Sequence, residues 1–336
     1  MVTSFRESPA KRVVRERWDT PLLMYLHREY GVRYRYMGFP GTALTDVRLW
    51  KDMLDEVVAF ERPAPTGDPR GWITELRTNL MLLGVRSITY YGSFEEVVVL
   101  RRDLDGQAYN QDKIITLYNL DFCDEIGSRV PTPEGDRVWR FEALRTIVED
   151  QSLCYRRGGE PAYFILLLTI RNQIGAKQIR SFLRPSGLLA ETEAYRRSCE
   201  RVRRLPQTGN LIGRHAWSLK AFLYNTLRNY FGTPNISALF FPLAKYAGTP
   251  VSRAVPSPML HWMILCRFGE REDAGPKFFP QDYLAGVVSL ETNGSGMRLS
   301  AEPGERPNPG QPLQVVDWFL ANRPSSFDFG APVKKH

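Results

Sequence analysis

Apolar and polar positions alternate along this chain with two periods in turn. Short β-branched or aromatic runs are followed by stretches in which apolar residues return every three or four positions, the pattern of strands followed by amphipathic helices. Residues Val32 to Met37 predict a first strand, GFPGTAL a glycine turn, and Thr45 to Leu54 a helix with Val47, Trp50 and Leu54 on one face. Thr45 or Asp46 is the expected cap of that helix. A second strand, Val57 to Phe60, ends in Glu61. The Asp68-Pro69 pair then opens a helix with a Trp72, Leu76, Leu80 and Leu83 stripe, closed by Gly84.

Strands are expected at Ser87 to Tyr91 and Lys113 to Asn119. The intervening EEVVVLRRDLDGQAYNQD reads equally as a helix or as a hairpin turning at Asp105-Gly106. A helix from Phe141 to Cys154 leads into AYFILLLTI, the continuous apolar run of a strand buried on both faces. Two amphipathic helices follow, Leu189 to Arg204 and Ser218 to Tyr230, and then two apolar strands, Ile236 to Tyr246 and Met259 to Phe268. Beyond Gly269 the chain turns acidic and then rich in proline and glycine, with one short helix expected in VVDWFLANR. No repeat of 20 to 50 residues is present, which sets aside solenoids and propellers.

Composition narrows this picture only a little. The 336 residues are 43% hydrophobic and 24% charged, an ordinary globular balance. No apolar run approaches a membrane span, and the basic start lacks the apolar segment of a secretory signal, so the expectation is a cytoplasmic protein with no membrane contact. Four scattered cysteines and four scattered histidines form no metal-ligand spacing, and no metal is expected. The phosphate-binding GxxxxGK[ST] and the nucleophile elbow GxSxG are both absent. Lysine and arginine total 45 against 37 acids, a net charge of +8 that permits a polyanionic partner. The excess is uneven: Tyr195 to Lys220 alone holds seven basic residues and one acid.

Five strand-then-helix units followed by a hairpin-like strand pair resemble the class I Rossmann-like S-adenosylmethionine-dependent methyltransferases over about residues 30 to 270. The loop Gly38-Phe39-Pro40-Gly41 is similar to the GFxG form found in three-Cys-motif partner proteins. The implied fold is α/β: a doubly wound, mostly parallel sheet of about seven strands with a C-terminal antiparallel strand pair. It implies three parts: a basic N-terminal arm (1–24), the Rossmann domain (25–270) and a Pro/Gly-rich extension (271–336).

The resemblance also implies a site at the carboxyl ends of the strands. Gly38, Phe39 and Gly41 would admit the methionine end of S-adenosylmethionine, or form a plain structural turn. Glu61, about 20 residues on, stands where an acid meets a ribose diol, or is a solvated strand end. Ser93 stands where an acid usually contacts the adenine. Asn119, Asp121 and Phe122 match the motif that holds and stacks a target amine, with Asp121 where that motif has proline; Asp121 is alternatively a solvated loop acid. Arg171, Lys177, Arg180 and Arg184 follow the fifth strand and would track a phosphate backbone, or form a solvated face. Lys11, Arg12, Arg15 and Arg17 read as a second contact arm or a disordered start. The expected function is methyl transfer to nucleic acid. The rival is a fold that has lost turnover and serves, with a protein partner, as a scaffold or nucleic-acid-binding subunit of a bacterial, phage-defence type assembly.

Overall fold

A computed structural model describes residues 9–122, 126–132, 135, 137–171, 235–241, 243–247, 258–269, 287–290, 297–299, 314–323, 327 and 329. The helices expected at Leu189 to Arg204 and Ser218 to Tyr230 lie outside these residues.

One sheet gathers ten strands. Five neighbouring strands form one parallel block: β1 (Tyr34–Gly38), β2 (Leu54–Glu61), β3 (Ser87–Tyr91), β4 (Leu117–Asp121) and, after the small hairpin β5 (Arg129–Pro131) and β6 (Arg137–Trp139), β7 (Tyr163–Arg171). They lie in the order β3-β2-β1-β4-β7. Antiparallel to β7 runs β10 (Pro258–Gly269), and its other edge carries β8 (Asn235–Phe240) and β9 (Leu243–Ala247) in succession. The short strands β11 (Val287–Leu290) and β12 (Met297–Leu299) continue from β9. A parallel sheet whose strand order reverses at β1/β4, closed by an antiparallel pair, is the Rossmann-like arrangement the sequence implies.

Helices cover both faces, which is why β7 is apolar along its whole length. On one face pack α1 (Pro9–Val14), a π-helical turn (Arg15–Asp19), α2 (Thr20–Tyr30), α3 (Thr45–Trp50) and α4 (Gly71–Leu83); on the other pack α5 (Phe94–Leu100) and α6 (Arg140–Arg156). The C-terminal helix α7 (Val315–Asn322) buries Val315 and Phe319 in the same cluster as Trp18, Leu22, Leu23 and Leu26 of the N-terminal helices. Each such side chain contributes about 2 kcal/mol or more by leaving water. The segment that reads as an arm or a disordered start is thus helical from Pro9 onward, with Trp18 fully buried. Among the described residues no helix is long and apolar enough to cross a membrane.

Local departures from the expected elements have visible causes. Helix α3 stops at Trp50 and a 3-10 turn (Lys51–Met53) delivers Leu54 into β2. Neither Thr45 nor Asp46 caps α3: its N-cap is Leu44 at φ 53°, and the Asp46 carboxylate turns inward instead. The buried stripe of α4 is Ile73, Leu76 and Leu80, with Trp72 only half-buried. Strand β4 begins at Leu117 because the Gln151 side chain takes both backbone groups of Ile115, at 2.9 and 2.5 Å. The ambiguous stretch after β3 satisfies both readings: α5 comes first, and then a turn at Asp105-Gly106 closed by an Arg102–Ala108 bridge.

Candidate active site

The carboxyl ends of β1, β2, β3, β4 and β7 meet along one edge of the sheet. Gly38 ends β1 in register with Ala59 of β2 and Asn119 of β4. A Cβ there would strike the Asn119 carbonyl oxygen and come within 2.7 Å of the Tyr36 hydroxyl, so only glycine fits. Gly41 is glycine for a different reason: its φ of +62° is left-handed, and the space around it is open. Between them Phe39 turns toward the α5 face, 5.1 Å from the Phe122 ring and 6.0 Å from Phe94.

Beneath this loop sits Asp46, 4% exposed. One of its oxygens accepts from the Tyr36 hydroxyl at 2.6 Å and from the Asn119 amide nitrogen at 2.5 Å, and the other accepts from the Val47 N–H at 3.0 Å. A carboxylate only accepts, so Asn119 presents its NH₂ to Asp46 and keeps its carbonyl oxygen for another donor. Burial, and then the Asp46 charge, push the Tyr36 phenol well above its ordinary pKa. The sequence reading treats Asp46 only as a cap. The available signal is an acid in the first turn of the helix that follows a glycine loop.

Glu61 ends β2 between Gly38 and the turn after β3, where the Gly92 N–H donates to the Glu61 carbonyl oxygen at 2.9 Å. Its carboxyl is raised from 4.5 to about 7, first by desolvation; Arg62, through its charge and backbone N–H, pulls the other way. No side chain among the described residues hydrogen-bonds or pairs with it. Ser93, by contrast, is engaged as the N-cap of α5, its hydroxyl accepting from the Glu96 N–H at 3.3 Å.

The residues at the end of β4 are also held. Asp121 pairs with Lys11 of α1. Phe122 is 4% exposed, its N–H donating to the Thr169 carbonyl at 2.9 Å and its ring covered by the Arg140 guanidinium at 4.2 Å. Arg140 is itself buried and paired with Glu95 at 2.7 Å. In register beside Asp121 lies Thr169 of β7, and beside Thr169 lies His261 of β10. His261 bonds the Thr169 hydroxyl at 2.9 Å and the Asp19 carboxylate at 2.8 Å, all three residues buried. This row is not anticipated from the sequence, where the histidines are merely scattered. Its one local trace is the four-residue recurrence of Lys11, Arg15 and Asp19 on a continuous helical segment.

Arg171, half-exposed, ends β7 on the same edge. Lys177, Arg180 and Arg184 lie outside the described residues. The structure thus gathers Gly38, Glu61, Ser93, Asn119, Asp121 and Arg171 along one edge and turns Phe39 and Phe122 onto each other.

No family model matches the chain, and none of the curated proteins matches it. Among solved structures, an rRNA methylase from Streptococcus thermophilus superposes over 75% of this chain and 97% of its own, at 12% identity and a TM-score of 0.32. The O-methyltransferase TomG from Streptomyces achromogenes, in complex with SAM, superposes over 80% of this chain and 93% of its own, at 9% identity and a TM-score of 0.33. These superpositions are loose, and the assignment rests on strand order. By that order, β3-β2-β1-β4-β7-β10 and then β8/β9 with β10 antiparallel, the chain has a class I methyltransferase-like fold.

Proposed function

We propose that the chain binds S-adenosylmethionine at this edge and transfers its methyl group to nucleic acid. The observation that carries the reading is Glu61: a carboxyl desolvated to a pKa of about 7 at the end of the second strand, which the neighbouring Arg62 offsets only in part and which no side chain among the described residues hydrogen-bonds. A vicinal diol would supply the two donors that restore its charge, and the ribose of the cofactor is such a diol. Gly41, with open space around it, fits a close backbone approach beside it, while Gly38 is glycine because β4 and Tyr36 crowd it. The cofactor supplies an electrophilic methyl group. The chain's own contribution is positioning: Glu61 fixes the donor, and Asn119, its NH₂ tied to Asp46, offers a carbonyl oxygen to the N–H of a target amine. Arg171 and the basic run that follows it in sequence support a phosphate-bearing acceptor.

A second reading, a degenerate scaffold without turnover, draws on the engaged state of the acceptor side: Lys11 occupies Asp121, and Arg140 and Phe39 cover Phe122. Calorimetry with S-adenosylmethionine, followed by transfer of labelled methyl to RNA and DNA, decides between them. Binding with transfer supports the enzyme, and binding without transfer the scaffold. Absence of binding by the wild-type chain sinks the enzyme.

A further inference from the structure

The hairpin β5–β6 interrupts the chain between β4 and α6, where nothing in the sheet requires an extra element. Its residues alternate faces. Val130 opposes Val138 on the inner side, Val138 being buried, while Arg129 opposes Trp139 and Pro131 opposes Arg137 on the outer side. Arg129, Pro131 and Arg137 are exposed and Trp139 is half-exposed. The Arg129 guanidinium lies over the Trp139 ring at 3.6 Å, and the Phe141 ring stands 5.2 Å behind it. Among the described residues neither Arg129 nor Arg137 has a carboxylate partner; Glu134 and Asp136 lie outside them.

This stack is anchored beside the proposed acceptor position. Arg140, next in sequence to Trp139, donates its N–H to the Ser128 carbonyl at 3.1 Å, pairs with Glu95 at 2.7 Å and covers Phe122 at 4.2 Å. Flexibility at the hairpin base is therefore small, and a partner lying on its outer face loses little to ordering it.

We propose that the outer face of this hairpin is a stacking subsite for single-stranded nucleic acid: a base lies on the Arg129–Trp139 stack, and Arg137 meets the adjoining phosphate. Guanidinium planes and aromatic rings take an unstacked base of any identity, and positive charge beside them tracks the backbone. A duplex hides the base faces this surface would use, so the surface favours unpaired strands. The proposal deepens the function proposed above by naming an unpaired strand as the acceptor class, and it rests on that reading for its relevance to methyl transfer.

The test is fluorescence anisotropy of the full chain with a labelled single-stranded oligonucleotide of about 12 nucleotides, set against the same sequence as a duplex. The wild type should prefer the single strand. Arg129→Ala and Trp139→Ala should weaken its binding roughly 5- to 100-fold. Arg129→Lys should behave like Arg129→Ala, because charge without a plane does not stack. Trp139→Phe should keep most of the affinity while losing the quenching of tryptophan fluorescence on binding. Since Arg129 is exposed, its variants should melt with the wild type, so a binding loss is not a folding loss. Equal affinity for duplex, full rescue by Arg129→Lys, or no oligonucleotide binding overturns the subsite. Titrating the same preparation with S-adenosylmethionine separates the two proposals: cofactor binding without oligonucleotide binding removes only the subsite, and the reverse removes only the cofactor.

Discussion

The two halves of the carboxyl edge treat their polar groups in opposite ways. Around β4, β7, β10 and the adjoining Tyr36 of β1 the polar side chains are partnered inside the protein: Asn119 and Tyr36 on Asp46, Asp121 on Lys11, and Thr169 and Asp19 on His261. At the end of β2, Glu61 is left with a carboxyl that burial penalises, that Arg62 relieves only in part, and that no side chain among the described residues hydrogen-bonds. A compensated group holds the fold, because removing its partner strands a buried charge. An uncompensated one costs stability until something else binds it. The difference therefore separates residues that set geometry from the residue proposed above to hold a ligand, and it can be broken from either side.

The largest effect is expected from the compensated half. His261→Ala leaves the Asp19 carboxylate buried with no partner and should cost about 3–5 kcal/mol in denaturant unfolding. A loss under about 1 kcal/mol would mean that the row across β4, β7 and β10 contributes little to the fold.

Glu61→Gln should act with the opposite sign. With a folded pKa of about 7 against 4.5, the folded state binds more protons than the unfolded state between those values. Wild-type stability then falls as pH rises through that window and levels off above about 7. Glutamine removes the penalty, so the variant should be more stable by up to about 3 kcal/mol above neutrality and should lose this pH slope, while losing cofactor affinity. Thermal melts at several pH values and calorimetry read both effects. A variant less stable than wild type at pH 8 would show Glu61 to be a structural group.

The two loop glycines should separate next. Gly38→Ala places a methyl against β4 backbone and should cost about 1–3 kcal/mol. Gly41→Ala meets no atom and should cost about 1 kcal/mol, from its left-handed φ alone. Equal losses in melting temperature would remove the steric argument at Gly38.

Smallest is Lys11→Met. Its pair with Asp121 is 29% and 18% exposed, and solvent should hold the loss below about 1 kcal/mol. If the scaffold reading is right, the variant transfers no methyl group either; transfer appearing only in Lys11→Met would show that Asp121 must be released.

Much of the fold is legible in local pattern. The Ser87–Tyr91 strand, the Gly84 helix stop and the apolar β7 all follow from periods of two or of three to four residues and from one glycine. Strand ends are less legible, as at β4, where a side chain from α6 replaces the ladder at Ile115. The site divides in the same way. The placement of Glu61 and the two glycines is readable because it depends only on position relative to a strand end. Asp46 is misread as a cap because the partners that turn it inward, Tyr36 and Asn119, stand 10 and 73 residues away.

The sequence by itself determined the alternation of strands and helices from β1 through β4, the turn at Gly38 to Gly41 and the acid that ends β2, since each depends on backbone geometry or spacing within one segment; the N-terminal helices, the β5–β6 hairpin and the division of β8 from β9 it did not. Tertiary structure alone decided which polar groups are satisfied and which face the hairpin shows to solvent. Asp19 and His261, 242 residues apart, meet only once β10 has inserted beside β7. Burial sets the free energy of a charge through everything packed around it, and that surrounding is not written near the residue in the chain.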